Sequence, residues 1–244
     1  GVKVLLDDYE TVSLLEDKVK TYDFFKGIDG INVPDYYKVT SVEEFKEAYA
    51  KLSLGNEVVC AKFVRDEGGK SFRKISKESK GLKRIKSYAG VGISYDDYLA
   101  VLEAVEDFDD VILMPYLEGN EISVDCLNTK KGLIAIPREK GNSRDERVFY
   151  DEDILNMVRI ITANIDIKYP FNVQFKYKES KLYLLEINTR MSGGLQMSCL
   201  AADINIPGIA LNKLLGEEVD WVQRKKEAVV SYVELPYIIR LEEK

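Results

Sequence analysis

The stretch that decides the fold is Asn172-Val173-Gln174-Phe175-Lys176-Tyr177, followed after a turn by Leu182-Tyr183-Leu184-Leu185-Glu186-Ile187-Asn188. Apolar and polar residues alternate along the first run, which predicts a β-strand with one buried face and one polar face. The turn lies near Glu179-Ser180. The pattern therefore predicts a hairpin of strands 171–178 and 181–188.

The register of this hairpin decides which side chains meet. Matching the polar faces of the two strands requires a loop with an odd number of residues. That register places Gln174 opposite Glu186 and Asn172 opposite Asn188, so four oxygen-bearing side chains share one face. A carboxylate with two or three amide oxygens suits a hard cation such as Mg²⁺, whereas the alternative is a polar face in contact with solvent.

The next residues, Thr189-Arg190-Met191-Ser192-Gly193-Gly194, bring a guanidinium, a hydroxyl and two glycines ahead of a helix expected over 195–202. Backbone N–H groups at a glycine-rich helix start, with an arginine beside them, suit a phosphate or an acyl phosphate. The whole stretch therefore favours metal-phosphate chemistry.

Composition limits the remaining possibilities. The 244 residues are 45% hydrophobic and 32% charged, and the formal charge is −7, which indicates a soluble folded protein and argues against nucleic acid or an anionic membrane as partner. No apolar run is long enough for a membrane span. Three separated cysteines, Cys60, Cys126 and Cys199, suit a reducing compartment, so we expect a cytoplasmic protein.

The sequence contains no histidine. This excludes a Ser-His-Asp triad, a Cys-His pair, an imidazole base and a histidine-ligated zinc site. Any catalysis must rely on carboxylates, amides, lysines, arginines or a bound metal.

The rest of the chain mixes helical and strand patterns. Long α segments alternate with antiparallel hairpins, which predicts an α+β fold in two lobes. Helices are expected over 14–27, 41–52, 94–107, 151–165, 195–202 and 207–215, and further strands over 57–64, 110–117, 121–128 and 132–136.

Gln174 together with Glu186-Ile187-Asn188-Thr189-Arg190-Met191-Ser192-Gly193-Gly194 resembles the metal and phosphate signature of the ATP-grasp superfamily, especially its carbamoyl phosphate synthetase-like and carboxylate-amine ligase-like members. Other blocks fit the same family in order, and the resemblance spans about residues 10–215. These blocks are Asp17-Lys18, Val59-Cys60-Ala61-Lys62, Glu67-Gly68-Gly69-Lys70-Ser71 and Met114-Pro115-Tyr116-Leu117-Glu118-Gly119-Asn120-Glu121-Ile122-Ser123-Val124-Asp125.

The resemblance implies an ATP-grasp fold with the nucleotide between two lobes. It implies that ATP contacts Lys18, Lys62, Gly68, Gly69, Met114, Tyr116, Leu117 and Glu121. In this assignment Lys18 and Lys62 meet the phosphates, main-chain groups of Met114 and Leu117 meet the adenine edge, and Glu121 meets the ribose. It also implies that Gln174, Glu186 and Asn188 bind one or two Mg²⁺ ions, with Mn²⁺ as a substitute. The alternatives are lysines that extend to solvent, a plain surface turn at the glycines and an ordinary strand charge at Glu121.

Two positions depart from the family pattern. Phe63 stands where a proline usually follows the strand lysine, and Gln174 stands where many relatives have a carboxylate. A lysine in an apolar strand is costly unless an anion meets it, which a nucleotide phosphate would do for Lys62.

The implied reaction transfers the γ-phosphoryl group of ATP to a carboxylate and lets an amine attack the acyl phosphate. Lys62 and Arg190 are the catalytic residues in this hypothesis. Arg138, in an expected basic loop over 137–144, and Ser192, Gly193 and Gly194 are the candidate contacts to the small-molecule substrates. One alternative is carbamoyl phosphate synthetase-like phosphorylation of bicarbonate or carbamate, and another is a non-catalytic ATP-binding module or fragment. Whether the chain forms a homodimer is left open.

We expect three parts along the chain: a connection over 1–16, a lid lobe over 17–114 and a catalytic lobe with the metal site over 115–244. Members of this superfamily usually carry a further α/β lobe before the Asp-Lys block. Because that block begins here at Asp17, we expect the amino-terminal lobe to be missing from this chain.

Overall fold

The computed structural model describes residues 2–66, 69–77, 90–141 and 144–234. Its helices are α1 (Tyr9–Leu15), α2 (Lys18–Phe25), α3 (Val42–Ser53), α4 (Tyr95–Glu103), α5 (Glu152–Asn164), α6 (Leu195–Ala202) and α7 (Ile206–Leu215). Its strands are β1 (Tyr37–Val39), β2 (Val59–Phe63), β3 (Arg73–Ser76), β4 (Gly92–Ser94), β5 (Val111–Pro115), β6 (Glu121–Thr129), β7 (Gly132–Lys140), β8 (Glu146–Val148), β9 (Phe171–Lys178), β10 (Lys181–Asn188) and β11 (Ala228–Val230).

The strands form two sheets that follow each other along the chain. The smaller sheet has the order β1-β5-β2-β3-β4, and the larger sheet has the order β10-β9-β6-β7-β8-β11. All pairs are antiparallel except β3 with β4. The α+β expectation is confirmed, and none of the described helices combines the length and apolar character needed to cross a bilayer.

Helix α3 covers one face of the smaller sheet and starts where the sequence predicts. The Ser41 hydroxyl accepts from the Glu44 N–H at 3.2 Å, which satisfies one free donor at the helix start. The Glu44 carboxylate accepts instead from the N–H and hydroxyl of Thr40. Phe45 and Leu52 then reach the buried core beneath the sheet.

Helices pack against both faces of the larger sheet, but they cover only part of the second face. On one face, Val173 and Phe175 of β9 pack with Ile154 and Ile161 of α5. On the other face, α6 and α7 cover only the part near Ile134. The uncovered part of that second face faces the smaller sheet and carries the polar residues described below.

The hairpin of β9 and β10 has the expected strand bounds but reaches its register by another route. Its loop is the two-residue turn Glu179-Ser180, with positive φ at both positions, so the expected odd-residue loop is wrong. A β-bulge between Leu184 and Glu186 then shifts the pairing by one residue. Gln174 therefore lies opposite Glu186, as predicted, because the bulge supplies the extra residue that the turn lacks.

A buried tyrosine binds the bulge. The Tyr22 hydroxyl donates to the Leu185 carbonyl at 2.7 Å, and the ring is fully buried. A bulged residue leaves the strand ladder, so its carbonyl needs a partner from elsewhere. Helix α2 provides that partner.

The segment before β1 differs from the expected single helix over 14–27. It contains two helices, because the Asp17 carboxylate caps a new helix by accepting from the N–H groups of Val19 and Lys20. Leu15 and Phe25 then join the core of the larger sheet. The boundaries expected at residues 17 and 115 stay predictions, and the smaller sheet itself begins at Tyr37.

Candidate functional site

The polar face of the larger sheet lies opposite the face of the smaller sheet that carries Cys60 and Lys62. In β9 and β10 this face presents Gln174, Glu186 and Asn188, which the pairing brings together. We call these three residues, with Lys18 and Lys62, the Glu186 cluster. The sequence-predicted metal residues and two of the predicted phosphate-binding lysines therefore occupy one place.

Lys18 is buried in this cluster and does not extend to solvent. Its Nζ lies 3.8 Å from Glu186 Oε2 and donates to the Val64 carbonyl at 3.5 Å. Lys18 is only 6% exposed. It is the first residue of α2 and directly follows the Asp17 cap. The Asp17-Lys18 pair thus has a local cause: the aspartate starts the helix and the lysine enters the space between the sheets.

Charges in the cluster shift each other's ionisation. Burial lowers the pKa of Lys62, and the Glu186 carboxylate opposes that shift. Burial alone would raise the pKa of Glu186, but Lys62 and Lys18 outweigh it and the pKa is lowered. Two ammonium groups thus act on Glu186, while Glu121 acts on Lys62 and both lysines act on Asp66.

The amides complete the arrangement around Glu186. Asn188 Nδ2 donates to Glu186 Oε1 at 3.2 Å. The Gln174 amide has two orientations, and in one of them Nε2 donates to Glu186 Oε1 at 3.1 Å and to Glu121 Oε1 at 3.3 Å. This orientation satisfies the amide within the protein, and a bound cation would require the amide to turn its oxygen toward Glu186 and Glu121. The carboxylate of Glu186 and the amides of Gln174 and Asn188 are residue types from which Mg²⁺ can take oxygen ligands.

Glu121, the predicted ribose contact, lies at the start of β6 beside this cluster. Lys140 from the paired strand β7 binds its Oε1 at 2.6 Å. Both side chains are partly exposed, so this ion pair is easily exchanged for another partner.

The segment between the sheets, residues 114–120, contains the predicted adenine contacts. Met114 and Leu117 are buried, and the Tyr116 N–H donates to the Val58 carbonyl at 3.0 Å. Lys176 Nζ donates to the Leu117 carbonyl at 3.0 Å. One main-chain acceptor of the predicted adenine edge is thus already bound by a side chain.

Two lysines at this segment were not predicted as site residues. Lys74 Nζ donates to the Tyr116 hydroxyl at 2.6 Å, and Lys176 Nζ lies 4.9 Å from the centre of the Tyr116 ring. Burial opposes ionisation of Tyr116, but the two lysines outweigh it and lower its pKa. Lys176 shares the strand parity of Gln174, which was the available signal in the sequence.

Arg138 is the largest difference from expectation in this region. The expected loop over 137–144 is wrong for residues 137–140, which belong to β7, and Arg138 is fully buried there, whereas residues 142–143 lie outside the described residues. Its guanidinium binds Asp125 Oδ2 at 3.2 Å, Ser198 Oγ at 2.7 Å and Ser192 Oγ at 3.1 Å, and it also pairs with Glu146. We call these residues the Arg138 cluster. A substrate contact for Arg138 stays a prediction.

The glycines after β10 differ from each other. A side chain on Gly194 would meet the Arg138 guanidinium, with Nη1 2.3 Å from the Cβ position, whereas Gly193 has nothing within 4 Å. The N–H of Leu195 and that of Met197, in the first turn of α6, donate to the carbonyls of Ser192 and Gly194. Gly194 is therefore required by close packing on the guanidinium.

Two further residues that were predicted for the site, Arg190 and Gly69, do not belong to the Glu186 cluster. Arg190 is exposed, and its Nη1 donates to the Met191 carbonyl at 3.2 Å. Gly69 has a φ of +66°, which favours glycine, and Asp66 closes the base of its loop by accepting from the N–H and hydroxyl of Ser71. Gly68 lies outside the described residues.

The family described as "ATP-grasp in the biosynthetic pathway with Ter operon" matches residues 107–236, more than half of the chain. That span includes the segment between the sheets, the polar strands and the turn that follows them. The chain belongs to this ATP-grasp family. The predicted superfamily and the ATP-grasp fold are thereby confirmed.

Relatives of this ATP-grasp chain include the carbamoyl phosphate synthase large chain of Thermoanaerobacter, with 23% identity over 90% of this chain and 20% of that protein. The corresponding protein of Saccharolobus solfataricus is 27% identical over 84% of this chain and 19% of its own length. The chain thus spans about a fifth of the length of these relatives.

Solved structures show the same ATP-grasp fold. A biotin carboxylase from Campylobacter jejuni, solved as a β,γ-ATP complex, has a TM-score of 0.71 and 16% identity over 93% of this chain and 53% of that chain. An N5-carboxyaminoimidazole ribonucleotide synthetase, solved with ADP, has a TM-score of 0.69 and 14% identity over 89% of this chain and 56% of that chain.

Proposed function

We propose that this chain binds Mg·ATP between its two sheets and activates a small-molecule carboxylate as an acyl phosphate for attack by an amine. The observation that carries the proposal is the Glu186 cluster, in which Lys18 and Lys62 converge on the Glu186 carboxylate between the sheets. The family and the nucleotide complexes of structures with this fold support it.

In this proposal Lys18 and Lys62 bind the phosphates of ATP. Lys18 is buried and Lys62 is half-buried, and they come from different elements, α2 and β2, so they approach the space between the sheets from two sides. An excess of positive charge in a water-poor space is costly without an anion, and a triphosphate provides one. The pKa of Lys62 is lowered for this reason, since burial disfavours its charged form.

Gln174, Glu186 and Asn188 would hold Mg²⁺, which neutralises charge on phosphate oxygens when it is bound. The low pKa of Glu186 keeps this carboxylate ionised and ready to bind a cation at neutral pH. A turn of the Gln174 amide would bring its oxygen to the same place, in exchange for its hydrogen bonds to Glu186 and Glu121. Metal number is left open, since one carboxylate is present with two amides.

The transfer step needs position and charge, and no histidine base. A carboxylate oxygen of the substrate forms a bond to the γ-phosphorus, the bond to the β-γ bridging oxygen breaks, and ADP leaves. An amine nitrogen then attacks the acyl carbon, inorganic phosphate leaves with the C–O electron pair, and the amine loses a proton to solvent. Arg190 and Lys62 stabilise the negative charge on the transferring group.

The test measures release of ADP and phosphate from Mg·ATP with a panel of amino acids as carboxylates and amines. We expect release to be stimulated by substrate, with an amide product visible by mass spectrometry. Glu186→Gln should reduce this rate by about tenfold to a hundredfold, because it removes the only carboxylate among the three proposed metal ligands. Glu47→Gln, which neutralises an exposed carboxylate on α3, is the matched control and should leave the rate unchanged.

A second candidate is phosphorylation of bicarbonate or carbamate, which the similarity to carbamoyl phosphate synthase large chains favours. Bicarbonate-dependent release of ADP without any added carboxylate or amine would select it. Saturable ATP binding with no stimulated release under any of these conditions would contradict both reactions and leave a nucleotide-binding module.

A further inference from the structure

A cavity lies away from the Glu186 cluster. It has a volume of about 600 Å³ and opens between the segment 26–37, the end of α3 and the start of β10. We call it the seam cavity, because Lys51 comes from the side of the smaller sheet and Lys181 from the larger sheet. No residue of the Glu186 cluster lines it.

The walls of the seam cavity are positively charged. Lys26, Lys51 and Lys181 line it, and Asp35 is the single acidic residue among its described lining residues. In the described part of the chain none of these three lysines forms an ion pair with a carboxylate. Exposed lysines elsewhere do so, as Lys46 pairs with Glu103 at 2.9 Å.

Each lysine is instead held near a tyrosine ring. Lys26 Nζ lies 6.0 Å from the centre of Tyr36, and Lys51 Nζ lies 5.6 Å from the centre of Tyr37. Lys181 Nζ lies 5.5 Å from the centre of the Tyr183 ring. A ring attracts an ammonium group but carries no negative charge, so these contacts position three cations without giving them a counter-ion.

A fourth ammonium group adds to the same field. Lys178 Nζ donates to Oδ1 of Asn56, which lines the cavity, at 2.7 Å. Like charges brought together repel each other, and this protein has an overall charge of −7, so its surface has ample carboxylates to pair with lysines. A concave region that gathers unpaired cations in an acidic protein attracts anions.

We propose that the seam cavity binds a small organic polyanion, a molecule with two or more phosphate or carboxylate groups. Its volume suits a ligand of metabolite size. The anionic groups accept hydrogen bonds from Lys26, Lys51 and Lys181, and the rings of Tyr36 and Tyr37 contact its carbon framework. Because both sheets contribute to the walls, the bound molecule joins them at a place separate from the proposed nucleotide site.

The test uses calorimetry with three probes, namely pyrophosphate, citrate and 2,3-bisphosphoglycerate. We expect at least one probe to bind the unmodified chain saturably below about 1 mM, and the triple variant Lys26→Gln, Lys51→Gln, Lys181→Gln to bind it about tenfold or more weakly. The matched control replaces three exposed lysines elsewhere, Lys20→Gln, Lys225→Gln and Lys226→Gln, with the same charge change. It should bind as the unmodified chain does.

Lys62→Gln separates this site from the nucleotide site. Probe affinity that falls with Lys62→Gln but not with the triple variant assigns the anion to the nucleotide site and overturns the proposal. The proposal is also overturned if the triple variant and the charge-matched control lose probe affinity equally. It is overturned as well if no probe binds saturably. Mg·ATP binding is measured in parallel and should be unchanged in the triple variant, so the two proposals fail independently.

Discussion

Two polar clusters lie on the same face of the larger sheet, and they differ in how their charges are balanced. In the Arg138 cluster, one fully buried guanidinium meets Asp125 and Glu146 and the hydroxyls of Ser192 and Ser198. In the Glu186 cluster, two ammonium groups act on Glu186, the ion pair from Lys18 is 3.8 Å long and the Glu186 side chain is 26% exposed. The donors of the first cluster are bound within the protein at short range, whereas the groups of the second are looser and open to a ligand.

This difference shows why buried charge alone does not indicate a site. Arg138 and Lys18 are both buried cations, and both attracted functional predictions from the sequence. Asn172 links the Arg138 cluster to β9, since its Nδ2 donates to Asp125 Oδ1 at 3.0 Å and to Ser123 Oγ at 2.9 Å. A satisfied network of this kind fixes the strands that carry the neighbouring open cluster.

The largest expected effect breaks the closed cluster. Arg138→Met leaves two carboxylates without their cation, and we expect the free energy of unfolding to fall by about 3–5 kcal/mol, measured by urea denaturation. Arg147→Met in β8 is the control, because Arg147 is half exposed and its ion pairs at 3.4 and 3.7 Å contribute less than about 1 kcal/mol. Similar losses in the two variants would contradict the distinction between the clusters.

A smaller effect tests the packing between this cluster and the turn after β10. Gly194→Ala places a methyl group against the Arg138 guanidinium, and we expect a loss of about 1–3 kcal/mol in the free energy of unfolding. Gly193→Ala adds the same methyl group to open space and should change stability much less. Equal loss of stability in both variants would show that the close approach at Gly194 is unimportant.

The smallest effect concerns the open cluster and appears with pH. Because burial lowers the pKa of Lys62, this ammonium loses its charge at a lower pH than an ordinary lysine. Affinity for Mg·ATP should therefore fall as pH rises through the folded-state pKa. The free energy of unfolding should instead increase with pH between the folded-state and the unfolded-state pKa of Lys62. In that range the unfolded chain binds more protons than the folded chain, so unfolding becomes less favourable as pH rises.

Lys62→Arg is the matched variant, because a guanidinium keeps its charge throughout this range. We expect its Mg·ATP affinity, measured by calorimetry, to be nearly independent of pH. Tyr116→Phe removes a phenol near the predicted nucleotide site whose pKa is also lowered, so that it too would lose its proton earlier as pH rises. If Tyr116→Phe and not Lys62→Arg abolishes the pH dependence, Lys62 is not the titrating group.

The sequence predicted the hairpin bounds and the pairing of Gln174 with Glu186, but not the bulge that produces this pairing. Alternation of polar and apolar residues fixes which faces must match, and a two-residue turn and a bulge give the same match as a longer loop. The choice depends on Tyr22, which is far away in sequence and donates to the bulged carbonyl.

Other differences have similar causes. The apolar periodicity over 14–27 favours one continuous helix, but Asp17 within it is a capping residue and starts a new helix, α2. The burial of Arg138 could not be read from its charged neighbours, because its partners Asp125, Glu146 and Ser198 lie on other elements.

The sequence by itself determined the family and the bounds of the hairpin over 171–188, and it predicted the side chains for a metal or a phosphate, because these depend on residue type and on short-range spacing. Only the tertiary structure decided how each cation is paired. Lys18 and Lys62 converge on Glu186, Arg138 binds two carboxylates, and the seam lysines lie near tyrosine rings. Charge balance depends on groups brought together from distant parts of the chain, and their distances are set by packing.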